Sequence, residues 1–171
     1  MAHKHPYKIS ALLIDPVLAF TLLRMRLAGW RPGQNRLGKI TLPANVELFD
    51  EAKRVLENFG GLKIRLSDNC TLTLDPAEVC EEDSAEKIKQ YAEICGDKLC
   101  PLGNINGQQD DCTLIIGESG RVYYLFADSL NLHALNFEQY IKAEFWFISN
   151  VSRVLSLKKL GLTDTKWKTD D

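Results

Sequence analysis

The chain has 171 residues, a formal net charge of −2 and an ordinary composition, 45% hydrophobic and 26% charged. That length suits a single domain with a core large enough to need no staples. The near-neutral balance argues neither for nor against a general polyanion partner, and no stretch approaches the ~18 apolar residues of a membrane span. Five cysteines at 70, 80, 95, 100 and 112 are odd in number and irregular in spacing, so they read as reduced cytosolic thiols and not as a secreted disulfide framework. Charge is uneven along the chain. Residues 1–39 carry seven Lys/Arg and only Asp15, whereas residues 75–97 carry eight Asp/Glu against Lys87 and Lys89.

Taken in order, the chain begins with a tail, residues 1–14, whose apolar run Ile9–Ile14 is cut by Asp15-Pro16 before it reaches signal-peptide length. Asp15 at N-cap and Pro16 at N1 open a helix over Val17–Ala28, apolar around most of its circumference and therefore expected to be largely buried. Gly29 stops it, and Arg31-Pro32-Gly33 suits a type II turn. A second helix is expected from Leu42-Pro43 to Gly60-Gly61, with Leu48, Ala52, Val55 and Phe59 on one stripe. Leu62–Leu66 and Cys70–Leu74 alternate strictly around Ser67-Asp68-Asn69 and predict a hairpin near a sheet edge.

Asp75-Pro76 ends that hairpin, and an exposed acidic connection follows over residues 77–83. Asp83-x-x-Glu86 resembles a capping box for a helix presenting Ile88, Tyr91, Ala92 and Cys95, with Gly96 as its stop. Lys98–Gly103 predicts a short strand into a turn, and Asn104–Asp111 a polar loop. Cys112–Ala127 then gives two β-rich runs around Glu118, Ser119 and Gly120. Leu114 and Ile116 oppose Ile115, and Val122, Tyr124 and Phe126 oppose Tyr123 and Leu125, so both faces are apolar. Such a hairpin belongs mid-sheet with helices on both sides. Asn136-x-x-Gln139 caps a helix from Phe137 carrying Tyr140, Ile141, Phe145 and Ile148, and Val151–Leu160 extends as helix before a polar tail. The expected division is a tail 1–14, one α+β domain 15–148 with a mainly antiparallel sheet, and a C-terminal extension 149–171.

Four elements in this order, Ala28-Gly29-Trp30-Arg31-Pro32-Gly33, Asn58-Phe59-Gly60-Gly61-Leu62, Leu99-Cys100-Pro101-Leu102-Gly103 and Gly120-Arg121-Val122-Tyr123, resemble the SUKH superfamily. The match is to its third immunity-protein subfamily, whose pattern runs roughly AGWxPGR, FLxxFGGL, LxPxG and DexGRVY, and it covers about residues 20–145. Gln34, Cys100 and Gly117 depart from that pattern. On this resemblance Gly29, Trp30, Pro32, Gly33, Phe59, Gly60, Gly61, Pro101, Gly103, Gly120, Arg121 and Tyr123 are signature residues of structural role. The resemblance implies helices packed on a mainly antiparallel sheet, and a bacterial cytoplasmic protein that binds and neutralises a cognate toxin domain, often one that attacks nucleic acid. It implies neither catalysis nor a cofactor, and no nucleic-acid, membrane or small-molecule partner.

Sharper chemistry has weak support in the residues. Cys95-x4-Cys100 only reaches the wide end of the two-to-four spacing of structural zinc, and Cys80, Cys112 and His133 supply no second tight pair; His3 and His5 belong to the tail. A thiol enzyme pairing Cys112 with His133 across neighbouring strands is the least favoured reading, and a regulatory scaffold that recruits a host protein is the alternative to immunity. Trp30 reads as a core seal beside Gly29. The acidic segment is the charge feature with a functional reading, since a rigid acidic surface competes for a basic groove and speeds encounter. Glu78, Glu81, Glu82 and Asp83, with Asp110 and Asp111 on the polar loop, are therefore the expected toxin-binding residues.

Overall fold

A computed structural model of the chain describes residues 16–67, 69–79, 82–107 and 111–144, excepting the side chains of residues 16–19 and 82–84. Three helices, α1 (Pro16–Leu27), α2 (Asp50–Phe59) and α3 (Glu82–Cys95), accompany six strands: β1 (Lys63–Ser67), β2 (Cys70–Thr73), β3 (Leu99–Asn106), β4 (Cys112–Gly117), β5 (Val122–Phe126) and β6 (Ser129–Ala134). A fourth helix, α4, occupies residues 137–144. The strands form one antiparallel sheet in the order β1-β2-β3-β4-β5-β6, so each strand pairs with its sequence neighbour. This is the expected α+β domain. The expected tail 1–14 and the C-terminal extension 149–171 lie outside the described residues, as do Phe145 and Ile148.

The β4–β5 hairpin sits fourth and fifth of six, inside the sheet as its two apolar faces require. Its alternation sorts as predicted. Leu114, Ile116 and Val122 enter the larger core with Met25, Val55, Leu56, Phe137 and Tyr140, while Ile115, Tyr123 and Leu125 pack with Ile88 in a second cluster. α1, α2 and α4 therefore cover one face, called the front, and α3 covers part of the other, the back. β1 is an edge strand whose Ile64 and Leu66 are buried at the front while Lys63 and Arg65 stay exposed at the back.

Several expectations are corrected. α2 begins at Asp50, seven residues after Pro43. The Val46 N–H closes a turn on the Pro43 carbonyl at 3.0 Å, and the chain then runs extended to Phe49 (φ −95, ψ 170), whose ring is buried. Burying Phe49 and Leu48 against the core outweighs continuing the helix backward, so the stripe becomes Ala52, Val55, Leu56 and Phe59. α1 is less buried than its composition implies. Thr21 and Met25 are inside, but Leu23 is 54% and Leu27 77% exposed, because only one side of the helix meets the sheet. α3 starts at Glu82, one residue before the proposed Asp83 cap, and Cys95 is exposed instead of lying on the apolar stripe.

β3 also runs further than expected, since Asn104, Ile105 and Asn106 pair with Thr73, Leu72 and Thr71. Polar side chains do not stop a ladder whose backbone groups need partners on both sides. Pro101 is tolerated inside this central strand because β2–β3 pairing begins only at Asn104 and the β3–β4 register shifts between Pro101 and Gly103. β6 was not expected. Its Leu130 and Leu132 alternate with polar residues, but the preceding turn has no glycine, and Ala127 adopts positive φ (48°) instead.

Candidate functional site

Most of the signature residues lie at the front or in tight turns, where they hold connections together. α1 ends in a Schellman closure, with the Gly29 N–H on the Arg26 carbonyl at 3.0 Å and the Trp30 N–H on Met25 at 2.9 Å, Gly29 at φ +92. The Gln34 N–H reaches the Arg31 carbonyl at 3.4 Å across Pro32-Gly33, with Gly33 at φ +77, which is the type II turn predicted. Trp30 is half-buried against the core and stacks on Phe59 with centroids 6.2 Å apart. Phe59 meets Phe137 at 5.4 Å, and Phe137 meets Tyr140 at 5.5 Å. An unbroken row of rings thus joins the helix stop, α2 and α4.

Arg36 pins this assembly and was not singled out from the sequence. It is 4% exposed; its Nε donates to the Gly60 carbonyl at 2.7 Å and its Nη1 to the Gly29 carbonyl at 3.1 Å. Its own N–H donates to the Glu57 carbonyl at 2.7 Å. One guanidinium therefore links the first two signature elements, and burial lowers its pKa. Gly60 and Gly61 complete the joint. A Cβ on Gly60 would lie 2.6 Å from the Leu56 carbonyl oxygen, and Gly61 holds φ +69. Gly103 faces a harder limit: a Cβ there would lie 1.8 Å from the Thr73 carbonyl oxygen. In the last element, Gly120 (φ +85) donates its N–H to Gly117 at 2.9 Å, Arg121 is exposed and Tyr123 is buried at the back. Asp97 holds the same turn through Ser119, N–H to Oδ1 at 3.2 Å and Oγ to Oδ2 at 2.5 Å. Gly117 leaves room for that carboxylate, since a Cβ would lie 2.2 Å from Asp97 Oδ2.

At the other end of the ring row, the Tyr124 hydroxyl donates to Glu144 Oε1 at 2.6 Å, and His133 Nε2 lies 3.1 Å from the same oxygen. The His133 and Tyr124 rings are 4.3 Å apart. Burial first, then neighbouring Tyr140 and Glu144, pushes the Tyr124 hydroxyl far above its ordinary range; burial, then Glu144, does the same to Tyr140. Both phenols stay neutral. Cys112 on β4 and His133 on β6 are separated by β5, so the two weighed for a thiol enzyme are not on neighbouring strands. Burial and the charge of Glu144 raise the Cys70 thiol, the opposite of what a nucleophile needs. Among the described residues, no group of three or more His, Cys, Asp or Glu is placed to hold a metal ion.

Among the described acidic candidates, Glu78 lies beside Lys63 at the back of β1, and Glu82 and Asp83 open α3, which packs on the same face. Asp75 caps a single 3-10 turn, Pro76–Glu78, by accepting the Ala77 N–H at 3.1 Å. Val79 is buried, so the connection is anchored where a wholly exposed one was expected. Glu78 is exposed and bridges Lys63 of β1 at 2.9 Å. Glu82 and Asp83 are the first residues of α3, and Asp111 is exposed just before β4. Glu81 and Asp110 lie outside the described residues. Between these acids the back of the sheet is polar. The register aligns Lys63, Thr73, Asn104 and Thr113 in one row across β1–β4, and among the described residues the Asn104 Oδ1 has no hydrogen-bond partner.

These features define an α+β domain with rigid, aromatic-stapled connections at the front and polar and acidic connections at the back. The chain belongs to the SUKH-3 immunity protein family, whose model matches residues 21–142, all six strands included. Membership makes a toxin-neutralising immunity role, with a cognate toxin as partner, the family-level function. No curated protein and no solved structure matches the chain. Among the described residues no helix is long and apolar enough to cross a membrane.

Proposed function

We propose that this protein is a cytoplasmic immunity protein that binds one toxin domain and blocks its active site or substrate groove without chemistry or cofactor of its own. The carrying observation is the family match across residues 21–142. The acidic connections at the back favour a toxin with a basic groove, such as a nuclease or another enzyme that attacks nucleic acid. Glu78, Glu81, Glu82, Asp83, Asp110 and Asp111 are the proposed contacts. Glu78 and Asp111 sit on connections of the sheet and Glu82 and Asp83 at the start of α3, and exposed connections on a rigid scaffold are where binding residues concentrate. An interface of the standard ~1,600 Å² total would need the acids as a rim around a few larger anchors.

The test is co-expression with a candidate toxin domain from a neighbouring gene, read by growth rescue and by recovery of a stoichiometric complex. Rescue with a complex supports the proposal. Absence of both removes it.

A further inference from the structure

The two edges of the sheet are treated differently. β1 presents Lys63 and Arg65, and α1 reaches it where Arg24 Nη1 donates to the Arg65 carbonyl at 2.9 Å. Charge and cover of this kind are how edge strands avoid pairing with other chains. β6 lacks such charge: residues 129–136, SLNLHALN, contain no Lys, Arg, Asp, Glu or Pro. Among the described residues no strand pairs with its outer side, and Leu132 is 55% exposed.

We propose that β6 pairs antiparallel with β6 of a second copy about a two-fold axis through Asn131, making one continuous sheet across the dimer. The register follows from the β5–β6 ladder. Phe126↔Ser129 closes the two-residue turn at Ala127-Asp128, and Tyr124↔Asn131 lies two residues further along each strand. By the alternation of antiparallel ladders, Ser129 and Asn131 turn their backbone groups toward β5, and Leu130 and Leu132 turn theirs outward. Centring the two-fold on Asn131 therefore sets Leu130 opposite Leu132 of the second copy, twice, with four backbone hydrogen bonds between them. All four leucines fall on the back face, where Leu130 already packs against the α3 cluster. Asn131 meets its own copy at the front, so no charge opposes a like charge. A shift by one residue would set each Leu against a polar residue, which disfavours the alternative. His133 is skipped in the β5–β6 register, where Val122↔Ala134 follows Tyr123↔Leu132, and this ends the pairing segment. So short a seam falls below the ~800 Å² per partner of a stable interface, so the dimer forms at about micromolar concentration or above.

The experiment is sedimentation equilibrium of the full chain from about 1 to 500 μM, with Leu132→Lys and, as control, Leu27→Lys on the exposed side of α1. Asn131→Cys adds a register test: an intermolecular disulfide is expected on mild oxidation at a rate that the parent chain, with its own cysteines, does not reach. A dimer weakened at least tenfold by Leu132→Lys, unaffected by Leu27→Lys and trapped through Cys at 131 supports the proposal. A monomer at every concentration overturns it, whether β6 is left bare or is covered by residues 145–171 of its own chain. A dimer broken by Leu27→Lys, or indifferent to Leu132→Lys, overturns it equally. None of these readouts involves a toxin, so failure here leaves the immunity reading standing.

Discussion

The front and back of the sheet are made of similar alternating strands, yet they are used differently. At the front, the row from Trp30 through Phe59 and Phe137 to Tyr140 is continuous, and Arg36 fastens the loops that frame it. At the back, the described apolar cluster gathers Ile88, Ile115, Tyr123, Leu125 and their neighbours beneath α3, and the row Lys63, Thr73 and Asn104 across β1–β3 is polar. Most of the signature residues lie at the front or in tight turns, while Glu78 and the start of α3, with Glu82 and Asp83, lie at the back. A family pattern need not mark its binding surface: here it marks the backbone joints that few residues can fill.

Substitutions break this contrast by degrees. Gly103→Val has the largest expected effect, because its Cβ would meet the Thr73 carbonyl and not a movable side chain. A loss above ~4 kcal/mol is expected, in the exceptional class for single changes. Chemical denaturation, or loss of folded yield, reads it. Near-wild-type stability would mean that β2 and β3 part easily at this bulge.

Arg36→Met should cost about 2–3 kcal/mol, since the buried Gly60 carbonyl and the part-buried Gly29 carbonyl lose their donor. Arg36→Lys should recover little, because one ammonium does not reproduce a fork that spans two carbonyls. Full rescue by Lys in urea melts would show that charge matters here and geometry does not.

The tyrosine pair gives a pH signature of intermediate size. Tyr124 and Tyr140 have folded-state pKa values raised above the unfolded value, so between the two values the native state holds protons that the unfolded state has lost. Their contribution is complete below about pH 10 and falls as pH rises beyond it, by roughly 1.4 kcal/mol per pH unit for each group. Tyr124→Phe should reduce the steepness of that alkaline loss by one proton. An unchanged slope in denaturation series across that range would remove Tyr124 from the account.

The smallest effect on stability is expected at the acids. Reversing Glu78, Glu81, Glu82 and Asp83 to Lys should leave the thermal midpoint nearly unchanged, since the Glu78–Lys63 bridge is exposed. Toxin association at low salt should slow by about an order of magnitude, with the difference fading as salt screens it. Unchanged association would move the search for the epitope to other surfaces of the back.

Much of the fold was legible in the sequence. Alternation in Cys112–Ala127 fixed which residues share a face, and Pro16, Gly29 and Gly96 marked helix ends, because these rest on short-range geometry that each residue type carries with it. The misses share a cause. α2 lost its expected first two turns because Phe49 is buried, and Leu48 partly buried, in extended backbone; β3 gained Asn104–Asn106 because β2 and β4 both needed a partner, and β6 hid behind a turn without glycine. Arg36 looked like one more basic residue until Gly29 and Gly60 converged on it.

By itself, then, the sequence determined the class of fold, the central hairpin, the turn glycines and the family signature, all readable at separations of a few residues. Only the tertiary structure decided what each signature residue touches, how far the strands extend, and that much of the signature lies on the face opposite Glu78 and α3. Those facts depend on contacts such as Arg36 to Gly60 and Gly103 to Thr73, made between segments about 24 and 30 residues apart. Local pattern carries no record of such contacts, because their energy comes from burial and backbone pairing that exist only once the sheet has closed.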